Sequence, residues 1–72
     1  MEKVIHIIDI NGKPRDVLYV HKITMQIPDR VNGGIAVTKN YAEVIIIGHF
    51  RSWKEWYPLE QFLDMNPDVV VS

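Results

Sequence analysis

From Lys22 onward the chain alternates strictly. Ile23, Met25 and Ile27 fall on one parity, Lys22, Thr24 and Gln26 on the other. A period of two places one set on each face of a strand, so this pattern predicts a strand with one covered and one wet side. The whole strand is expected over residues 16–27, and its length calls for a bend partway, as small barrels require. Upstream, residues 3–10 are β-branched and periodically polar, which predicts a first strand. Asn11-Gly12 then suits the positive φ angles of a tight hairpin turn, and Pro14 limits ladder pairing beside it. Pro28-Asp29 and Asn32-Gly33-Gly34 punctuate the next stretch. Ile35-Ala36-Val37 reads as a short strand and Lys39-Asn40 as a turn. Residues 42–50 are the most apolar segment, and consecutive Val44, Ile45, Ile46 and Ile47 predict a central strand covered above and below. Gly48 interrupts it where a bulge or close backbone approach is expected.

Two patterns compete after Ser52. Ser52-x-x-Glu55 matches a helix capping box, but a helix begun there would carry Pro58 inside it, at a cost of about 3 kcal/mol. A strand over Lys54 to Tyr57, with Pro58 as the first residue of a short helix, removes that conflict. Leu59, Phe62 and Leu63 would share one helix face, and Asn66-Pro67 would end it. Asp68 to Val71 is expected as a last short strand. The predicted class is mainly β: one domain over residues 1–72, a small antiparallel barrel or rolled sheet of five to six strands, with one short helix before the last strand.

The end of the chain resembles the end of an SH3-like barrel. In that family an aromatic-rich strand runs into a proline, one helical turn bearing an aromatic, and a final strand. Here Trp56-Tyr57-Pro58, Phe62 and Val69-Val70-Val71 occupy those places, over about the last twenty residues. Phe62 follows the proline by four residues instead of the usual three, and the acidic loop of proline-rich-peptide binders is missing. The resemblance implies a fold and no particular activity.

Composition narrows the function. Seventy-two residues bury only roughly 60% of the unfolded surface, and with no cysteine there are no disulfides or thiolate metal sites to add stability. Association with a partner or with itself is the natural supplement. The net charge is −1 with signs interspersed, which gives no field to gather phosphates and no polybasic membrane anchor. The first residues lack the layout of a signal peptide, and the longest apolar run is too short to cross a bilayer, so a cytoplasmic protein is the expectation.

Five of the seven aromatic residues lie between Phe50 and Phe62, both tryptophans among them. Large rings are effective core and also the commonest anchors of binding surfaces. In an extended strand Trp53, Glu55 and Tyr57 share one face and Lys54 and Trp56 the other. Trp56 is expected inward with Leu59 and Phe62, leaving Trp53 and Tyr57, with Arg51 and Lys54, as the partner-binding patch. The chemistry points to a non-catalytic module that binds another protein, such as a small inhibitor or adaptor of the kind phages and mobile elements encode. The alternatives are a barrel that stacks single-stranded nucleic acid on the same rings, or an oligomer holding a small ligand at its subunit junctions. Nucleic acid is disfavoured by Glu55 and Glu60 among the rings, and no membrane partner is expected. No cofactor is called for. His6, His21 and His49 lack the short spacing of a metal site, Ser52 and Ser72 lack a nucleophile elbow, and an enzyme is not expected.

Overall fold

Alternation becomes strand wherever a neighbour is available to complete the ladder. The computed structural model describes residues 3–72. It contains β1 (Ile5–Ile8), β2 (Pro14–Asp29), a 3-10 turn (Arg30–Asn32), β3 (Ile35–Ile47), β4 (Ser52–Pro58) and α1 (Leu59–Met65). The four strands form one antiparallel sheet in the order β1-β2-β3-β4, curled into a half-barrel. Four strands are fewer than the five to six expected, for two reasons. Ile35-Ala36-Val37 and the segment from Ala42 are one continuous strand, because Lys39 and Asn40 pair with Met25 and Thr24 instead of turning. Ladder pairing, with a Thr24 hydroxyl donating to Asn40 Oδ1 at 2.9 Å, outweighs the local turn preference of asparagine. The segment after α1 is not a strand. Among the described residues its backbone hydrogen bonds to β2 come from Ser72, whose N–H donates to the Val20 carbonyl and whose carbonyl accepts from Lys22 N–H, while Val69 and Val71 pack on the core.

The first turn is wider than Asn11-Gly12 alone. Asp9 N–H donates to the Lys13 carbonyl, Gly12 N–H donates to the Asp9 carbonyl, and Gly12 takes a φ of 81°. The Asp9 carboxylate organises the loop from within. It accepts from Asn11 N–H, Lys13 N–H and Arg15 Nε at 2.9 to 3.0 Å, and is itself buried. Those donors, Lys13 N–H foremost, hold its pKa below the usual aspartate value.

The expected bend in β2 is a bulge. Val17 pairs with Ile46 and Val20 with Val44, so β2 spends three residues where β3 spends two. Both valines face the core, which consists of Ile7, Val17, Val20, Ala42, Val44, Ile46, Tyr57 and Phe62. The extra residue reverses the parity of everything after it. β3 is central in the sheet, as its apolar run implies, but Val44 and Ile46 are buried while Ile45 and Ile47 on the outer face are half-buried. At its end Gly48 permits a close approach: a Cβ there would collide with the Trp53 ring and the Arg51 carbonyl.

α1 begins one residue later than expected, with Pro58 at the N-cap, and stops at Asn66. Phe62 faces the core and stacks on Tyr57 at 6.0 Å, whereas Leu63 is turned out. Asn66 is the closing device of the half-barrel. Its side-chain oxygen accepts from Ile8 N–H at 2.6 Å, and its Nδ2 donates to the Ile8 carbonyl at 2.8 Å and the Phe62 carbonyl at 3.0 Å. The amide thus occupies the place a fifth strand would take beside β1.

Beyond this body, β2 and β3 continue as a two-stranded arm, Ile23–Asp29 against Ile35–Tyr41. The molecule is 47 Å long but only 26 by 22 Å across, with a radius of gyration of 14.0 Å. A compact chain of this length would have about 11 Å.

Candidate binding face

Opposite partners in an antiparallel pair point to the same side, so the register assigns every side chain a face. Ala42, Val44 and Ile46 face inward with Tyr57, Glu55 and Trp53; Glu43 and Ile45 face outward with Trp56 and Lys54. This corrects the sequence expectation for the aromatic strand. Tyr57 is buried at 4% exposure, and Trp56 is the ring left outside at 48%. The alternation was right and its phase was reversed. Tyr57 and not Trp56 meets Phe62, because the helix follows Pro58 directly and folds back over the inner face.

Each tryptophan is held by a glutamate on its own face. Inside, Glu55 accepts from Trp53 Nε1 at 2.7 Å and from the Tyr57 hydroxyl. Burial, reinforced by that acceptor, pushes the Tyr57 pKa far above the ordinary tyrosine value. Outside, Glu43 accepts from the Tyr19 hydroxyl at 2.7 Å and from Trp56 Nε1 at 3.0 Å, with Lys54 Nζ at 4.0 Å. The two hydrogen bonds, that from Tyr19 the stronger, hold Glu43 below its usual pKa, and Tyr19 is raised in return. Tyr19 also stacks on His21 at 4.0 Å, so the outer face carries an ordered aromatic and carboxylate group.

The four residues expected as one patch are divided. Trp53 is half-buried against the core with Arg51 lying 5.9 Å from its ring, Tyr57 is interior, and Lys54 belongs to the outer face. The tip of the β3–β4 loop exposes Phe50 almost completely, with His49 packed edge-on to it. His6 pairs with Asp16 across β1 and β2 at 2.6 Å, and His21 and His49 lie elsewhere. Among the described residues no group of three or more His, Asp or Glu could hold a metal ion.

The arm extends the outer face in a way the alternation alone did not disclose. Because of the bulge, Ile23, Met25 and Ile27 point outward, paired with Tyr41, Lys39 and Val37. The inward side of the arm is polar: Lys22, Thr24, Gln26, Thr38 and Asn40. One continuous surface therefore runs from Ile45 and Trp56, past Tyr41 and Ile23, to Ile27 and Val37. A shallow recess lined by Ile27, Pro28, Val37 and Lys39 lies along it, and another, lined by Lys39, Asn40, Pro58, Leu59 and Glu60, lies at its edge where β4 runs into α1. The signal that could have found it is the change of parity in β3, from Val37 and Tyr41 to Ala42, Val44 and Ile46.

The chain matches no protein-family model, no curated protein and no solved structure. Among the described residues no helix is long and apolar enough to cross a membrane.

Proposed function

We propose that this protein is a non-catalytic interaction module that docks a protein chain through the outer face of its sheet, with an SH3-like half-barrel as the scaffold. The observation that carries the reading is the apolar stripe on the arm's outer face, half-buried Ile23, Ile27 and Val37 with exposed Met25, continuous with Trp56 and Tyr41. A two-stranded ribbon is marginal in water by itself, and one with an apolar face gains from being covered. Trp56 serves as the central anchor: its indole N–H is already satisfied by Glu43, so the ring can be buried without stranding a donor. Lys54 lies beside it, and Arg51 and Trp53 flank the loop end. Glu43, held ionised in the middle of the face, repels phosphate and counts against the nucleic-acid alternative.

The test is site-specific photo-crosslinking in a native extract. A photoreactive phenylalanine analogue replacing Met25 should capture a protein chain, whether a copy of this one or another. The same group replacing Lys13, on the β1–β2 loop, should capture far less. Equal capture at both positions, or none at Met25, overturns the reading.

A further inference from the structure

Resting on that reading, we infer that the chain covering the outer face is a second copy of this protein, related by a two-fold axis that passes at Tyr41. The outward residues of β3 read Val37, Lys39, Tyr41, Glu43, Ile45. That series is self-complementary about its centre: apolar, cationic, aromatic, anionic, apolar. A two-fold lying between two facing sheets, perpendicular to β3, stacks the strands antiparallel. It sets Val37 against the second copy's Ile45, Lys39 against its Glu43, and the two Tyr41 rings together. Such self-complementarity is what an isologous interface requires.

Neighbouring strands follow in the same operation. Met25 lies beside Lys39 and His21 beside Glu43, so the arm's Met25 and Ile27 cover the stacked Tyr19 and His21 of the other copy. Trp56 lies beside Glu43 on the β4 side. It comes to rest over the level of the other copy's Lys39, beyond the end of β4 at Pro58. Among the described residues Lys39 has no carboxylate partner within its own chain, while the Glu43 carboxylate, fixed by Tyr19 and Trp56 and 4.0 Å from Lys54 Nζ, is the anion that a second copy's Lys39 would meet.

The exposed area agrees with the size of such an interface. The chain exposes 5563 Å². A compact monomer of its mass exposes about 4,600 Å², so the excess is nearly 1,000 Å². A standard interface buries about 800 Å² per partner. The surplus comes from the elongated shape of the chain as a whole and is large enough to include an interface of standard size.

Charge reversal provides a test that misfolding cannot imitate. By sedimentation at micromolar concentration the wild type should be a dimer. Lys39→Glu should weaken it at least tenfold, since it opposes two like-charged pairs across the axis, and Glu43→Lys should do the same. Mixing the two variants should restore a dimer, because every pairing across the axis is then between opposite charges. Circular dichroism of each variant alone should match wild type, which separates lost association from lost folding. A wild type that stays monomeric overturns the inference, and so does a mixture in which the variants remain apart. If Met25 crosslinking in extract still captures a different chain in either case, the docking face stands and only its occupant was wrong.

Discussion

In the body of the molecule β2 and β3 turn their apolar side chains inward; in the arm the same two strands turn theirs outward. Val17, Val20, Ala42, Val44 and Ile46 are buried beneath α1 and the C-terminal segment. Ile23, Ile27, Val37 and Tyr41, one ladder further along, are only half-buried and Met25 is exposed. The two strands achieve the reversal by different means. β2 inserts one residue at the bulge between Val17 and Val20, so that odd positions facing in become odd positions facing out. β3 keeps its register, and its sequence changes parity between Tyr41 and Ala42. Two independent devices agree on one outcome: the apolar side chains of β2 and β3 lie on opposite sides of the sheet at its two ends. A single slip of register would have moved only one strand's set.

The comparison breaks most sharply in the body. Phe62→Ala removes the ring stacked on Tyr57, the one helix residue fully inside the core, and should cost about 3 to 5 kcal/mol. A domain this small holds roughly 3 to 5 kcal/mol in all, so urea titration should find the variant largely unfolded in water. A cooperative transition near the wild-type midpoint would mean that the helix contributes little to the body. Asn66→Ala comes next. It strands the Ile8 N–H and carbonyl at the edge of β1 and should cost about 2 kcal/mol. Amide exchange of β1 should accelerate more than that of β3.

The first, second and fourth strands, the apolar core of the third, the first hairpin, the bend in β2 and the proline at the start of the helix were legible, because each has a local cause in periodicity or φ preference; the expected last strand over Asp68 to Val71 was not found. What was illegible is what a second element decides. Trp56 and Tyr57 are adjacent bulky rings in a strand, and nothing in their own spacing says which one faces in; the return of Phe62 over Tyr57 decides it. Lys39-Asn40 has turn composition, yet Thr24 and Met25 are present to pair with it. Asn66 reads as a helix stop, and its use as a substitute strand neighbour depends on Ile8, far away in sequence. The candidate patch of Arg51, Trp53, Lys54 and Tyr57 fails as one surface for the same reason: the return of Phe62 turns the face of Trp53 and Tyr57 inward and leaves Lys54 outside.

A smaller effect, confined to the body, depends on pH. Asp9 titrates below its ordinary value in the folded chain because Lys13 N–H, Arg15 and Asn11 N–H stabilise its charge. A depressed folded pKa contributes stability that is complete above the unfolded value of about 3.9 and is lost as pH falls through the folded one. Acid unfolding should therefore steepen below about pH 4. Asp9→Asn should lower stability at pH 7 and flatten that acid limb. Thermal melts at pH 7 and pH 3 check it, and an unchanged acid limb would place the acid sensitivity elsewhere. At the alkaline end Tyr57 works with the opposite sign. Its raised pKa means the unfolded chain ionises first, so stability should fall above about pH 10, and Tyr57→Phe should blunt that loss.

The smallest effect sharpens the comparison most. Met25 is 38% exposed on the arm's outer face and pairs with Lys39, with no element of its own chain lying over it. Met25→Lys should therefore change the stability of the single chain by no more than about 0.5 kcal/mol, as surface substitutions usually do. The measurement is urea unfolding at a concentration low enough to keep the chain monomeric. The equivalent change at Val20, five residues earlier on the same strand and facing inward, would abolish folding. If Met25→Lys instead costs more than about 1 kcal/mol under those conditions, the stripe is packed within its own chain and the arm is merely more core.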